Sequence, residues 1–415
     1  MTEVIEKTEN KKGYKKTKLG WIPEEWDLLK LGDFFTLTSG ITKPDDLHET
    51  QECNDNPVYG GNGVIGYSKQ VLLNQKVLII GRVGEKCGCV HYLQTPCWIT
   101  DNALYINSIK KNFNYEYMYY LLQKINLNKY RNKSGQPLIS QKPIYCTIIA
   151  MPKIAEQEKV TEILSAWDDG IETLEKLIEQ KEIFHKALMK NLLIGKKRFA
   201  EFSKNSEYKR TKLGSIPVDW QIKPLKLLFD KRMQKYSRDT EHNIFTNSAT
   251  KGVVLQNEYF DRSIVTEENT SNYYVVGEDD FMYNPRISQN APAGPINRNK
   301  LGITGIASPL YTIFKAKHDT IVDFYEQYFS SNLWNNSMFM VANQGARHDR
   351  LNITNNDFMN MPLPYPPTKE QEKIANSLIE SYKEIQILNS KLEKLKEQKK
   401  GLMQKLLTGQ IRVKV

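Results

Sequence analysis

Two stretches of this chain place apolar residues at alternating steps of four and three. The first row runs Val160, Leu164, Trp167, Ile171, Leu174, Ile178, then Lys181 and His185, then Leu188 and Leu192. Adding 214 to each number gives Ile374, Leu378, Ser381, Ile385, Leu388, Leu392, Leu395, Lys399, Leu402 and Leu406. A mean step of about 3.5 is the period of a coiled-coil seam, so each row predicts a long helix that presents one apolar edge to a partner helix. Gly195 and Gly409 stand where helix C-terminal caps belong. Lys181, His185 and Lys399 occupy seam positions, where polar residues set register at some expense in stability.

Elsewhere the apolar pattern is shorter. Val77–Ile80 and Thr147–Ala150 read as buried strands, Gly60–Gly63 as a turn, and Tyr115–Ile125 as a helix. In the second half, Tyr273–Val276 and Leu310–Phe314 read as strands and Asp323–Leu333 as a helix. Two globular middles follow, about 27–150 and 221–364, each of mixed α/β or α+β character.

The ends of these middles repeat. Tyr14-Lys-Lys-Thr-Lys-Leu-Gly-Trp-Ile-Pro-Glu-Glu-Trp26 returns as Tyr208-Lys-Arg-Thr-Lys-Leu-Gly-Ser-Ile-Pro-Val-Asp-Trp220, at an offset of 194. Glu156-Gln-Glu-Lys159 returns as Glu370-Gln-Glu-Lys373, and Met189–Gly195 as Met403–Gly409, both at an offset of 214. The second middle is therefore longer by 20 residues. Common ends around unlike middles describe one scaffold carrying two different readers. The expected division is a tail (1–13), a first domain (14–152), a first long helix (153–195), a linker (196–207), a second domain (208–366), a second long helix (367–409) and a tail (410–415). Trp26 and Trp220 are expected to pack in small cores behind their turns.

A helix over 156–194 spans about 58 Å at ~1.5 Å per residue. A domain of about 150 residues has a radius of gyration near 15 Å and does not return the chain over that distance. The second helix is therefore expected to run antiparallel to the first, with the two domains at opposite ends of a two-helix rod. Half-sites on one face of a DNA duplex recur every ~34–36 Å, within reach of domains leaning in from such a rod.

Composition narrows the partners. The formal net charge is +10 and the pI about 9.0, which favours a polyanion such as nucleic acid. The N-terminal Thr2–Lys12 is polar, and no run approaches the ~18 apolar residues of a membrane span, so no membrane association and a cytoplasmic location are expected. All five cysteines (Cys53, Cys87, Cys89, Cys97 and Cys146) fall in the first half, which argues against a disulfide or zinc framework common to both repeats. Reduced, unligated thiols are expected.

Several segments resemble the DNA-specificity subunit of Type I restriction–modification enzymes. They are Leu19–Trp26; Tyr59-Gly-Gly-Asn-Gly-Val-Ile-Gly-Tyr67; Leu78-Ile-Ile-Gly-Arg-Val-Gly84; Tyr283-Asn-Pro-Arg286 with Ala291–Pro295 and Ser308–Tyr311; and the helix openings Pro152–Val160 and Pro366–Ile374. In their duplicated order they cover nearly the whole chain. The resemblance implies an α+β protein with two target-recognition domains, each reading one half of a bipartite, asymmetric site in double-stranded DNA. It implies a coiled coil that sets the spacer and docks two modification (methyltransferase) subunits, which use S-adenosylmethionine to methylate adenine N6. Restriction subunits using ATP with Mg would join the same complex. This chain itself would hold no cofactor or metal.

The residues agree with a non-catalytic role. No Asp/Asn-Pro-Pro-aromatic motif occurs, since Tyr365-Pro-Pro-Thr368 lacks the polar first residue. No phosphate-binding loop or dinucleotide fingerprint is present either. Base-edge readers should be Arg, Lys, Asn and Gln on turns. The first domain offers Asn62, Arg82, Lys86, Arg131, Lys133 and Gln136. The second offers Arg286, Gln289, Asn290, Arg298, Asn343, Gln344, Arg347 and Arg350. Lys196–Arg198 and Lys209–Arg210 are open between phosphate contact and linker solvation. The rival classes are a two-headed protein-interaction scaffold without DNA specificity and a self-sufficient enzyme.

Overall fold

The computed structural model describes residues 12–132, 135–203, 207–236, 243–259, 270, 272–342 and 349–414. It divides into two compact units, 1–175 with 390–415, and 176–389. The division cuts each long helix near its middle. Each unit thus owns the beginning of one helix and the end of the other, where the sequence suggested domains separate from helices.

In the first unit, Tyr14–Thr17 and Gly20–Pro23 form an antiparallel hairpin, turned through Gly20 at φ +90°. Asp27–Lys30 pairs with Ile148–Met151. A four-stranded sheet has the order Phe35–Ser39, Ala103–Ile109, Val77–Gly81, Val90–Leu93. All five residues of Val77–Gly81 are buried. Its alternation feeds two cores: Leu78 and Ile80 join Phe35, Leu104 and Tyr117 on one face, while Val77 and Ile79 join Tyr59 and Ile99 on the other. The second core is closed by a three-stranded sheet, Gly63–Ser68, Asn56–Gly60 and Trp98–Ile99, whose last pair is parallel. Tyr115–Ile125 is helical because its apolar residues repeat on one face and the Asn114 side chain accepts from the Tyr117 amide.

The second unit repeats this plan. Its four-stranded sheet runs Phe229–Lys231, Thr312–Ala316, Phe281–Tyr283, Ile296–Arg298. Its other sheet runs Gly252–Leu255, Asn243–Ser248, Gly305–Ala307, Tyr274–Val276, and the pair 243–248 with 305–307 is again parallel. Phe281 and Tyr283 face one core and Met282 the other. The main core here is aromatic: Phe229 meets Phe281, Phe314 and Tyr325 edge-on at 5.3–5.5 Å between ring centres. The expected strand at 310–314 starts at Thr312, and the expected helix at 323–333 is Val322–Ser330.

Both long helices form as the seam predicts, Ile154–Leu192 and Thr368–Leu406. Within the first unit, Glu175 pairs with Lys396 at 2.7 Å and Asp168 with Lys399, so numbers rise on one helix as they fall on the other. Within the second, Lys181 pairs with Glu384 at 2.7 Å, and His185 Nδ1 lies 3.1 Å from Ser381 Oγ. The helix segments are antiparallel in each unit, and the polar seam positions have partners. Val160, Leu164, Ile171, Leu174, Ile178, Leu192, Ile374, Leu378, Ile385, Leu392 and Leu406 are buried; Trp167, Leu188, Leu388, Leu395 and Leu402 are half-buried.

The repeated motifs meet in one joint per unit. The buried Trp26 indole donates to Glu156 Oε2 at 3.0 Å, and the buried Trp220 indole donates to Glu370 Oε2 at 3.0 Å. Arg412 donates to Glu156 at 2.7 and 3.1 Å, and Arg198 donates to Glu370 at 2.8 and 2.7 Å. Tyr14 and Tyr208 hydroxyls donate to the carbonyls of Gly409 and Gly195. Both glycines have φ +70°, and a Cβ there would sit 2.5–2.6 Å from Pro23 or Pro217. Repetition of Tyr, Pro, Trp, Glu, Gly and Arg thus encodes a clamp between a hairpin, the start of one helix and the end of the other.

Candidate nucleic-acid interface

In each unit, two loops after the central strand and the helix join through a single antiparallel bridge at the rim of the four-stranded sheet. In the first unit the bridge is Val83 with Leu138. The Gly84 amide donates to Pro137 O and the Ile139 amide to Arg82 O, both at 2.9 Å. The Asn132 side chain accepts from the Leu138 amide at 2.8 Å and closes the 132–138 loop on itself. A third segment, the turn 60–63, crosses these backbones closely. A Cβ on Gly61 would lie 2.3 Å from Val83 O, and one on Gly81 would lie 2.0 Å from Gly61 O. Only glycine permits that approach.

This geometry gathers most of the first domain's candidates. Asn62 is exposed at the turn and lies over Gly84, whose φ is +97°. Lys86, Arg131 and Gln136 are exposed on the joined loops. Arg82 is half-buried and donates from Nη1 to Ser39 Oγ at 2.9 Å, which brings the 39–41 segment into the same rim. Lys133 lies outside the described residues. Cys87 is buried beside this rim, and burial raises its thiol pKa; Cys97 is pushed to about 11 by the same cause.

In the second unit the bridge is Arg286 with Arg350. The Ile287 amide donates to Asp349 O at 3.0 Å and the Leu351 amide to Pro285 O at 2.9 Å. Gln289 and Asn290 are exposed at the tip of a turn closed by reciprocal Ser288 and Ala291 backbone bonds. Arg286 is 67% exposed, with Asp349 at 3.9 Å, and Arg350 lies 3.3 Å from the same carboxylate. Arg350 holds Asp349 below the usual carboxylate range. Asn343, Gln344 and Arg347 lie outside the described residues.

One expectation is corrected, and one open alternative is narrowed. Arg298 is 14% exposed and its guanidinium pairs with Asp279 at 2.7 Å, Asp323 at 2.6 Å and Glu326 at 3.0 Å. Its donors are committed to carboxylates of the neighbouring helix (Asp323, Glu326) and of the turn before the strand Phe281–Tyr283 (Asp279), so it binds the fold rather than a base edge. Arg198 is likewise removed from the possible phosphate contacts, because Glu370 and Asp219 hold it 4% exposed.

One residue escaped the sequence reading. Asn247 is 3% exposed in the strand Asn243–Ser248. Its amide donates to Met282 O at 2.6 Å and Pro295 O at 3.1 Å, while Asn297 donates to its Oδ1 at 2.6 Å. It pins both ends of the loop that carries Arg286, Gln289 and Asn290. Nothing in its local pattern separates it from an ordinary strand residue.

Among the described residues, no cluster of three or more His, Cys, Asp or Glu is set to hold a metal, and no helix is long and apolar enough to cross a membrane. The arrangement offers guanidinium and amide donors on pinned turns, suited to hydrogen-bond readout rather than bond making.

Residues 23–182 match the family model of the Type I restriction modification DNA specificity domain. The type I restriction enzyme MjaVIII specificity subunit of Methanocaldococcus jannaschii is 26% identical over 95% of this chain and 94% of its own length. The type I restriction enzyme EcoprrI specificity subunit of Escherichia coli is 29% identical over 33% of this chain and 35% of its own. The crystal structure of a Type-I restriction-modification system S subunit from M. genitalium aligns over 92% of this chain and 96% of its own, with TM-score 0.57 at 13% identity. That likeness establishes a shared fold.

Proposed function

We propose, taking this chain as a specificity subunit of a Type I restriction–modification enzyme, that it reads a split site in double-stranded DNA with one unit on each half. The observation that carries the reading is the recurrence, on two unlike units, of one pinned loop pair bearing Arg, Lys, Asn and Gln. Asn62, Arg82, Lys86, Arg131 and Gln136 would face one half-site, and Arg286, Gln289, Asn290 and Arg350 the other; Lys133 joins the first set, and Asn343, Gln344 and Arg347 the second, by sequence position alone. Because the two sets differ, the site is asymmetric.

The two long helices would set the spacer between the half-sites. They would also dock two modification subunits, which methylate adenine N6 with S-adenosylmethionine, and restriction subunits that use ATP and Mg. None of those groups belongs to this chain; its part is binding and positioning in the cytoplasm. The test is to co-express the chain with its modification subunit and map N6-methyladenine across the host genome. One split motif with unlike halves is expected. Methylation without a split motif, or none that depends on this chain, would overturn the reading.

A further inference from the structure

A cleft of 580 Å³ opens in the second unit between the reading loops and the helix pair. One wall carries Asn290, at the tip of the reading turn, with Thr250 and Asn297. The opposite wall is helical: Lys186 projects from Ile154–Leu192 and Lys383 from Thr368–Leu406. Both lysines are exposed, and neither has an ion-pair partner among the described residues. Glu326, the carboxylate in the lining, is already paired with Arg298 and Lys300, each at 3.0 Å. The cleft therefore joins a base-reading turn to two uncompensated cations.

We infer that this cleft seats the sugar–phosphate backbone adjoining the second half-site, with Lys186 and Lys383 as phosphate ligands. The inference rests on the DNA-reading role proposed above and goes beyond it, because it makes the spacer helices part of the DNA surface. A strand held at Asn290 and running toward the helices passes between that amide on one side and ammonium groups on the other. Lysine suits this place because it meets a phosphate as a point charge and reads no base. The repeat does not copy the pair. At the corresponding positions the first unit carries Lys400 and Asp169, so the feature is confined to one half of the site.

The test uses the complex reconstituted with its modification subunits and a duplex carrying the mapped split site. Lys186→Ala with Lys383→Ala should flatten the plot of log affinity against log salt by about 0.9 for each phosphate no longer neutralised, ~1.8 for the pair. Base preference in both halves should be unchanged, as should the melting curve. Ethylation of phosphates flanking the second half-site should weaken the parent complex and leave the double variant indifferent. A double variant with the parental salt slope and ethylation pattern overturns the inference alone. A parent complex with no site-specific binding overturns the DNA reading itself.

Discussion

The two units share strand order, loop bridge and joint, yet they achieve these with different chemistry. In the second joint, Arg198 is 4% exposed, and both Asp219 oxygens accept from it at 3.0 and 2.7 Å. In the first joint, Arg412 is 34% exposed, Glu25 supplies one further acceptor at 3.1 Å, and a 270 Å³ cleft opens beside it. The main core of the first unit is largely aliphatic around its central strand, and that of the second is a cluster of phenylalanine and tyrosine rings. Repetition has kept the connections and let the surroundings change. The same bond is therefore worth different amounts in the two places, since removing one partner of a desolvated charge leaves the other uncompensated.

Four measurements press on this contrast. Glu370→Ala strips the acceptor from Trp220 and two of the four hydrogen bonds from a buried guanidinium. It should lower stability by about 3–5 kcal/mol in urea titration, whereas Glu156→Ala, beside the wetter Arg412, should lower it by about 1–3 kcal/mol. Equal effects would remove burial as the distinction.

Asn247→Ala should cost about 1–3 kcal/mol, because it removes the amide that donates to the Met282 and Pro295 carbonyls and the oxygen that accepts from Asn297. In a methylome it should blur one half-site and leave the other sharp.

Arg286→Ala with Arg350→Ala should relax the same half by about 1–3 kcal/mol of discrimination for each guanine that goes unread. Arg298→Ala should leave base choice intact and lower stability only. If Arg298→Ala changed the motif instead, its carboxylate partners would be the wrong account of its role.

The smallest effect is one of pH, and it belongs to the first unit. His48 Nδ1 donates to the Asp46 carbonyl at 2.8 Å, and its Nε2 meets Asp55 Oδ2 at 2.6 Å. The bond to the Asp46 carbonyl first, and Asp55 second, raise the His48 pKa; the bond to His48 lowers that of Asp55. The histidine's contribution is complete below its unfolded pKa and is lost as pH rises through its folded value. The aspartate's is complete above its unfolded pKa and is lost as pH falls through its folded one. The protection of the amides of residues 46–55, taken relative to their intrinsic exchange rates, should therefore be greatest in mildly acid solution and fall toward alkaline pH. His48→Gln should flatten that alkaline limb, and an unaltered profile would exclude the pair as its source.

How much of this was legible follows from what repetition constrains. The helices were readable because a seam must recur at fixed steps, and the joint's residues recur at the same two offsets. Their partnership was not readable: Glu156 and Arg412 are 256 positions apart, and nothing local ties them. The rim loops were visible as glycine-rich turns, and most of the chosen exposed residues lie on them. Arg298 misled because a guanidinium near a turn has one appearance in sequence whether it faces solvent or three carboxylates. Asn247 was hidden because a buried amide and a surface amide on a strand share one letter.

The ownership of the helix ends has a consequence for biosynthesis. The second unit is one uninterrupted stretch, 176–389, while the first needs residues from 390 onward. Glu156 receives Arg412 only after the ribosome has passed almost everything else in the chain. The half translated earliest must therefore wait, its carboxylate held by the Trp26 indole alone, until the last-made segment returns to it. The usual N-to-C order of domain completion is reversed.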